Sequence, residues 1–317
     1  MYHIARRLAI TLSLSSVILG AKAQVAPTDS LGEVRDSVRR LDEVVVYARQ
    51  MLGSKFEARN RTGSAYYLSP KELKKFGYTD ISRMLRAVPG VNIYEEDGYG
   101  LRPNISLRGT KAERSERISL MEDGILAAPA PYAAPAAYYF PNAARMYAIE
   151  VLKGSSQVQY GPFTTGGAVN MVSTPIPKTF HAGLRTSYGS YGTFNSYVHV
   201  GNDHKHIGYL IEYLRYQSKG FKKDEPNERT GFYRNDVVGK LRLHSDEGAE
   251  TRQALELKLG FANEHSDESY VGLSEQDFAS RPYYRYRGAQ MDNLRTRHVQ
   301  TALTHLIDFT GGLKVTT

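Results

Sequence analysis

The chain has 317 residues, of which 41% are hydrophobic, so it can form one or two ordinary domains with their own cores. Cysteine is absent, which excludes disulfides, thiolate nucleophiles and cysteine-ligated metals. The formal net charge is +8, but the basic residues are dispersed rather than grouped, so the composition does not favour nucleic acid as a partner.

The N-terminus has the pattern of an export signal. Arg6 and Arg7 precede an apolar stretch from Leu8 to Leu19, and Ala21-Lys22-Ala23 then forms a cleavage pattern of small residues. We therefore predict that residues 1–23 are a cleaved signal peptide. The alternative is a membrane anchor, but this stretch is too short to span a bilayer. No later run of 18 or more apolar residues exists, which excludes a helical multi-spanning membrane protein.

Residues 24–46 follow as a polar, mixed-charge segment, which predicts a flexible leader. The segment ends in an acidic pair and three β-branched residues, namely Asp42, Glu43, Val44, Val45 and Val46. β-Branched residues favour an extended backbone, so this pentapeptide can pair with a sheet edge. It is either a recognition peptide for a partner or the first strand of the next domain.

Residues 47–178 are predicted to form one compact α/β domain. A capping box with Ser69 as N-cap and Glu72 three residues later begins a short helix. We expect Thr79 to cap a second helix, which stops before Pro89. Five short strands are predicted after it: Val91–Tyr94, Ile105–Arg108, Ile118–Met121, Ala148–Leu152 and Ala168–Ser173.

Residues 179–317 alternate apolar and polar positions with a period of two. Leu255, Leu257, Leu259 and Phe261 are apolar, and polar or small residues lie between them. We predict six such strands and the start of a seventh at Leu313, with short connections on one side and mostly long ones on the other. This pattern is typical of transmembrane β-barrels, and a soluble β-sandwich is the alternative.

Four stretches between the helices and the predicted barrel carry a family resemblance. They are Asn104-Ile105-Ser106-Leu107-Arg108-Gly109, Met121-Glu122-Asp123-Gly124, Ile149-Glu150-Val151-Leu152-Lys153-Gly154 and Tyr160-Gly161 through Asn170. In this order and spacing they resemble the plug of TonB-dependent outer-membrane receptors, with residues 42–46 as the TonB box. The resemblance covers nearly all of residues 42–317. The Ala130-Pro131-Tyr132 stretch is most similar to ferric dicitrate receptors.

The resemblance implies a mixed α/β plug domain followed by the first six or seven antiparallel strands of a transmembrane β-barrel. The family barrel has about 22 strands, so residues 179–317 are expected to be an incomplete N-terminal portion of it. It also implies a receptor that binds a ferric citrate-like siderophore and imports it into the periplasm with energy delivered through TonB. Other cargo (another siderophore, haem, cobalamin or a glycan) and a secreted β-rich binding module remain alternatives.

The implied partners are TonB with its inner-membrane ExbB/ExbD motor, the ferric chelate and outer-membrane lipid. The implied location is the outer membrane of a Gram-negative bacterium, reached after export, and the implied state is a monomer. We expect no enzymatic activity, no nucleic-acid partner and no cofactor, since iron would arrive as a chelate and no side chain would ligate it directly.

The resemblance also assigns roles to individual residues. The TonB box would add a strand to TonB. Arg108 and Lys153 would hold the plug in the barrel by pairing with barrel carboxylates beyond residue 317. Ligand would contact plug loops through Arg102, Arg114, Arg117, Tyr132, Tyr138 and Tyr139, and outer barrel loops through Arg281, Tyr284 and Arg285. Guanidinium and phenol groups suit a metal-carboxylate anion, although each could equally be a solvated surface residue.

Overall fold

A computed structural model of the chain describes residues 50–61, 63–76, 80–127, 138–161, 165–223, 230–246, 248–309 and 313–317. The predicted signal peptide, leader and TonB box lie outside these ranges, as does Tyr132. Within them, no helix is long and apolar enough to cross a membrane.

The N-terminal half of the described chain is a small α/β domain. Its helices are α1 (Lys55–Asn60), α2 (Pro70–Phe76) and α3 (Ile81–Leu85). Its strands are β1 (Ser64–Leu68), β2 (Val91–Tyr94), β3 (Asn104–Leu107), β4 (Ile118–Glu122), β5 (Ile125–Leu126), β6 (Met146–Lys153) and β7 (Gly167–Ser173). Five of them form a sheet in the order β1-β6-β7-β4-β5, in which only β4 and β7 are parallel. β2 and β3 form a separate antiparallel pair. All five predicted strands are confirmed, whereas β1, β5 and α1 were not predicted.

Side-chain caps fix the starts of α2 and α3. The Ser69 hydroxyl accepts a hydrogen bond from the Glu72 N–H at 3.4 Å, and the Glu72 carboxylate accepts one from the Ser69 N–H at 2.9 Å, so the predicted capping box is confirmed. The cap of α3 is Asp80, whose carboxylate accepts the Ser82 N–H at 2.8 Å, so α3 begins one residue later than expected. The predicted cap, Thr79, lies outside the described residues.

The core of this domain lies between its sheet and its helices. Ile149 and Val151 of β6 and Val169 of β7 are fully buried with Leu85 of α3. Gly167 makes this packing possible. A Cβ added there would lie 2.2 Å from the Leu107 Cδ1 atom and 2.4 Å from the Leu152 carbonyl oxygen, so only glycine fits.

The rest of the described chain is one seven-stranded antiparallel sheet. Each strand pairs with the next in chain order: β8 (His181–Gly189), β9 (Thr193–His204), β10 (Ile207–Ser218), β11 (Phe232–His244), β12 (Thr251–Ser266), β13 (Leu294–Phe309) and β14 (Lys314–Thr316). Helix α4 (Glu275–Ser280) lies in the long connection between β12 and β13. The six long strands and a seventh short one confirm the prediction from the alternating pattern.

The two faces of this sheet, which we call the wall, differ sharply. Leu241, Leu259 and Val299 alternate with less exposed neighbours and are 44%, 51% and 71% exposed, so one face of the wall is apolar and open. The opposite face covers the α/β domain and carries buried charged residues, among them Asp236 and Lys258. The pleat of each strand thus separates a face suited to lipid from a face suited to the enclosed domain.

Candidate functional site

The boundary between the α/β domain and the wall contains a buried ionic cluster. Arg145, which precedes β6, donates two hydrogen bonds to the Glu122 carboxylate at the end of β4, at 2.7 and 2.8 Å. Its Nε atom donates to the Asp236 carboxylate on β11 at 2.9 Å. The three side chains are at most 2% exposed. One arginine therefore joins the domain to the wall in a bidentate, water-excluded geometry.

A lysine of the wall completes the cluster from the other side. The Lys258 ammonium on β12 donates to the Glu122 carboxylate at 2.6 Å and to the Asp123 carboxylate at 2.5 Å. Burial alone would raise the pKa of Glu122, but the charges of Arg145 and Lys258 lower it to about 2. Glu122 is therefore ionised at neutral pH, and the cluster is a set of true ion pairs.

Two further contacts extend this boundary. The Lys240 ammonium on β11 donates to the Ser173 hydroxyl and to the Thr174 carbonyl oxygen, both at 2.6 Å. The Ser173 hydroxyl in turn donates to the Asp123 carboxylate at 2.5 Å. Beside an apolar cluster of Leu101, Leu214 and Phe232, the domain is thus attached to the wall by charged and hydroxyl groups. Removing one member of such a buried pair leaves an uncompensated charge, which is costly.

None of these boundary residues was assigned a role from the sequence, although Glu122 and Asp123 lie in one of the four stretches that carry the family resemblance. The sequence contains only a general signal, because Asp236 and Lys258 occupy the polar positions of alternating strands, which face the enclosed side in a barrel. A charged residue at such a position indicates a partner on the enclosed side. The sequence does not say which residue of the α/β domain that partner is.

Arg102 joins the domain to the wall at the end where the long connections lie. It is 3% exposed, and its guanidinium donates to Glu264 at the end of β12 and to Glu268 just after it, the second at 2.6 Å. Burial, opposed by Arg102 and reinforced by Asp97 and Glu264, raises the pKa of Glu268 to about 7. Arg102 was predicted to contact ligand, and the structure shows its guanidinium engaged by two carboxylates.

The other predicted ligand residues of the domain divide into open and closed sets. Arg117 is exposed and Tyr138 is 48% exposed, so both can reach a ligand. Arg114 binds Glu96 at 3.0 Å and lies 4.7 Å from the Tyr270 ring centroid. Tyr139 is buried, since its ring stacks on His298 of β13 with centroids 3.7 Å apart.

The predicted outer-loop residues are arranged around α4. Arg281 donates to the Asp277 carboxylate at 2.6 Å, and its guanidinium lies 4.0 Å from the Tyr284 ring centroid. Both residues lie in the open loop. Arg285 is 5% exposed and donates to the Asp267 and Asp292 carbonyl oxygens at 2.5 and 3.0 Å. Arg285 therefore holds the loop together, whereas Arg281 and Tyr284 are accessible.

Arg108 and Lys153 are neighbours in space. A Cβ on Gly154 would lie 3.2 Å from the Arg108 guanidinium, and the Lys153 ammonium donates to the Pro89 carbonyl oxygen. Burial and then the charge of Arg108 lower the pKa of Lys153. Within the described ranges, neither cation has a carboxylate partner. Their pairing with barrel carboxylates stays a prediction.

In the part of the chain that the structure describes, no group of three His, Asp or Glu side chains is placed to hold a metal ion. The exposed side chains among the predicted ligand residues, namely Arg117, Tyr138 and Arg281, are instead cationic or phenolic. Such groups suit an anionic ligand rather than a bare cation.

Comparison with known proteins gives the same architecture. The sequence profile of the TonB-dependent receptor plug domain matches residues 57–168. The solved structure of the unliganded ferric citrate transporter FecA superposes with a TM-score of 0.68 at 22% identity, covering 80% of this chain and 39% of that one. The ferric yersiniabactin uptake receptor FyuA from Yersinia pestis gives 0.61 at 20% identity, covering 80% and 39%.

The siderophore receptor PirA from Acinetobacter baumannii is also similar, with a TM-score of 0.57 at 19% identity over 86% of this chain and 40% of its own. The chain therefore spans about two fifths of the length of these solved structures. At these identities the likeness establishes the fold. The predicted fold class, a mixed plug followed by antiparallel barrel strands, is confirmed.

Proposed function

We propose that this chain belongs to a TonB-dependent receptor that imports a ferric chelate across the outer membrane, because residues 57–168 match the plug-domain profile of that family. The receptor would capture the chelate outside the cell and pass it into the periplasm. Transport, rather than catalysis, is the proposed activity. The observation that carries the proposal is a plug-type domain held against an antiparallel wall whose other face is apolar.

The plug–wall boundary supports import by a plug that moves. Arg145, Glu122 and Lys258 are ionic groups that water can solvate once the plug shifts, whereas an apolar boundary would lose its whole hydrophobic contribution. An outer membrane has no energised gradient, so the work must come from a partner. We propose that TonB, driven by ExbB and ExbD, binds the segment Asp42–Val46 by strand addition.

We propose a ferric carboxylate anion as the cargo. Arg117, Tyr138 and Arg281 are exposed donors, and Arg281 lies with the partly exposed Tyr284 in the long connection between β12 and β13. The fold likeness to a ferric citrate transporter agrees with this choice. Receptors for other siderophores share the fold equally, so the cargo is tested separately from the transport mechanism.

The transport proposal is tested at Val45 in the receptor that carries this chain. Proline at position 45 removes a backbone donor and blocks strand addition. We expect cells with Val45→Pro to bind radiolabelled ferric citrate at wild-type level and to fail to grow on it as sole iron source. Val45→Ile keeps the N–H and the β-branch and is the matched control. Normal growth of the proline variant would refute the role of this segment.

The cargo proposal is tested by titrating tyrosine fluorescence of the purified receptor with ferric citrate, haem and cobalamin. We expect quenching by ferric citrate and its weakening in the double variant Arg117→Gln/Arg281→Gln. Tight binding of haem or cobalamin without binding of ferric citrate would refute the proposed cargo, but it would not affect the transport proposal.

A further inference from the structure

The first described residues after the proposed TonB box are bound to a buried carboxylate. The N–H groups of Met51, Leu52 and Gly53 donate to the Glu150 carboxylate at 2.6, 3.0 and 2.8 Å. Glu150 lies on β6 and is 0% exposed. Three consecutive backbone donors on one carboxylate form a short anion-binding turn. We call this contact the Glu150 anchor.

The anchor leads directly into the interior of the sheet. The Asn170 amide on β7 donates to the Glu150 carboxylate at 2.9 Å, and its oxygen accepts the Gly124 N–H, also at 2.9 Å. Asn170 is 0% exposed. One buried amide therefore joins β6 to the turn that follows β4.

That turn carries the carboxylates of the plug–wall boundary. Asp123 and Glu122 immediately precede Gly124, and both accept hydrogen bonds from the Lys258 ammonium of the wall. Polar contacts thus run without a break from residues 51–53 through Glu150, Asn170 and Gly124 to Lys258. The side chains of Glu150, Asn170, Asp123, Glu122 and Lys258 are all buried, whereas the backbone of Gly124 lies at the surface of the turn.

We infer that Glu150 and Asn170 are positioning residues that carry a pull on residues 51–53 across the plug sheet to the ion pairs holding the plug to the wall. This inference rests on the proposed function. The chain after residue 53 continues through α1 into β1, the edge strand of the sheet. Without the anchor, a pull would peel α1 and β1 away. With it, the load enters β6, which lies between β1 and β7.

The anchor is tested with Glu150→Gln in the receptor that carries this chain. The amide has one acceptor oxygen, so its NH₂ group must face either the N–H groups of Leu52 and Gly53 or the Met51 N–H and the Asn170 NH₂ group. We expect hydrogen exchange at the amides of Met51, Leu52 and Gly53 to accelerate at least tenfold. The maximal import rate should fall at least fivefold, with surface binding of radiolabelled ferric citrate unchanged. Glu150→Asp keeps the charge and should recover import above the level of the glutamine variant.

The relay is tested with Asn170→Ala, which keeps the three backbone donors on Glu150 and cuts the link to Gly124. Exchange at residues 51–53 should stay within a few-fold of wild type, while exchange at Gly124 should accelerate at least tenfold. Maximal import should fall as in Glu150→Gln. A residue that only stabilised the fold would alter surface binding and import together.

Asp80→Asn is the matched control, because Asp80 is a buried carboxylate of the same domain that lies off the route. It should leave the exchange of residues 51–53 and of Gly124 unchanged. Normal maximal import by Asn170→Ala would overturn the relay, and so would unchanged exchange at Gly124. If the Glu150→Gln receptor fails to insert into the outer membrane, the Asn170→Ala variant alone tests the relay. Failure of the proposed function is seen separately, as normal growth of Val45→Pro.

Discussion

Within the plug, β6 and β7 pack through Ile149, Val151 and Val169, which are fully buried and apolar. Where the plug meets the wall, the equally buried contacts are Arg145 with Glu122 and Asp236, and Lys258 with Glu122 and Asp123. The two regions are thus equally buried but differ in chemistry. The interior is apolar apart from the Glu150 carboxylate, whereas the boundary combines these ion pairs with one apolar cluster, in which Leu101 packs with wall residues such as Leu214 and Phe232.

This difference distinguishes contacts that are stable only while water is excluded from contacts whose groups water can solvate after they separate. Apolar side chains lose their stabilisation whenever water reaches them, so the interior of the plug is stable only as a unit. Ionic partners lose their mutual attraction on separation but regain hydration, so the boundary can open at lower net cost. The chemistry of the two regions therefore favours displacement of the plug with its core intact.

The largest expected effect breaks the boundary. Arg145→Met leaves Glu122 and Asp236 buried with fewer cations, and loss of one member of a buried ion pair costs about 3–5 kcal/mol. We expect this loss in chemical denaturation of the purified receptor in detergent. Hydrogen exchange should accelerate along β4 while β6 and β7 keep their protection.

Two variants sharpen that result. Adding Glu122→Gln to Arg145→Met removes one orphaned carboxylate and should recover part of the loss. Arg281→Met breaks the exposed pair with Asp277 in the α4 loop and should leave stability unchanged. Equal losses of stability in Arg145→Met and Arg281→Met would show that the buried boundary cluster stabilises the receptor no more than an exposed ion pair does.

The second effect breaks the interior. Ile149→Ala removes a fully buried side chain from the plug core, with an expected loss of about 3 kcal/mol from transfer and cavity formation. Unlike the boundary variant, it should accelerate exchange in β6 and β7 together. The loss should also not depend on ionic strength between 0.05 and roughly 0.5 M salt, because no charge is involved. A strong salt dependence would contradict the separation of the two regions.

The sequence predicted the interior better than the boundary. The spacing of Ser69 and Glu72 predicted the start of α2, and the strand at residues 91–94 was predicted at its observed limits. Both predictions depend on local signals, namely a helix cap and an alternating pattern. The strand β1 was missed, since Ser64–Leu68 lacks a clear alternation and is fixed by pairing with β6. The helix α3 was expected one residue too early, because Thr79 and Asp80 are both good N-caps.

Contacts across long sequence separations were not predictable in this way. Arg145 and Asp236 are separated by 91 residues, and nothing in either neighbourhood identifies the other. Arg102 was assigned to ligand from its loop position, yet its guanidinium is taken up by Glu264 and Glu268. The sequence shows which residues are charged, whereas the position of the plug against the wall determines which of them form ion pairs.

A third, smaller effect concerns pH at the outer end of the boundary. Burial, only partly offset by Arg102, raises the pKa of Glu268 to about 7 from its ordinary value of 4.5. The folded state therefore binds a proton that the unfolded state has already released, so stability falls as pH rises from 4.5 through 7. After allowance for partial exposure, we expect Glu268 to account for roughly 2 kcal/mol of this fall.

Glu268→Gln should remove that part of the pH dependence in denaturation curves recorded from pH 4.5 to 7.5. Glu113→Gln is the control, since the pKa of this exposed carboxyl is lowered by its hydrogen bond and charge interaction with Lys111, which gives the opposite sign. An unchanged slope in Glu268→Gln would mean that burial does not control this carboxyl. It would also remove the distinction between the outer end of the boundary and the permanently ionised cluster around Glu122.

The smallest expected loss of stability is at the cap of α2, outside both the interior and the boundary, and it serves as a reference for the larger losses. Ser69 caps α2, with its hydroxyl accepting from the Glu72 N–H at 3.4 Å and donating to the Glu72 carboxylate at 2.7 Å. Ser69→Ala removes both contacts, and loss of such a cap costs about 1 kcal/mol. The loss should be confined to exchange in Pro70–Phe76, with chelate binding and import unchanged. Ser69→Thr should keep the cap, because its hydroxyl can accept the same N–H and donate to the same carboxylate. If Ser69→Ala accelerated hydrogen exchange in β4 as Arg145→Met does, the plug would respond to any lost contact as one unit. The difference in chemistry between its interior and its boundary would then have no separate role.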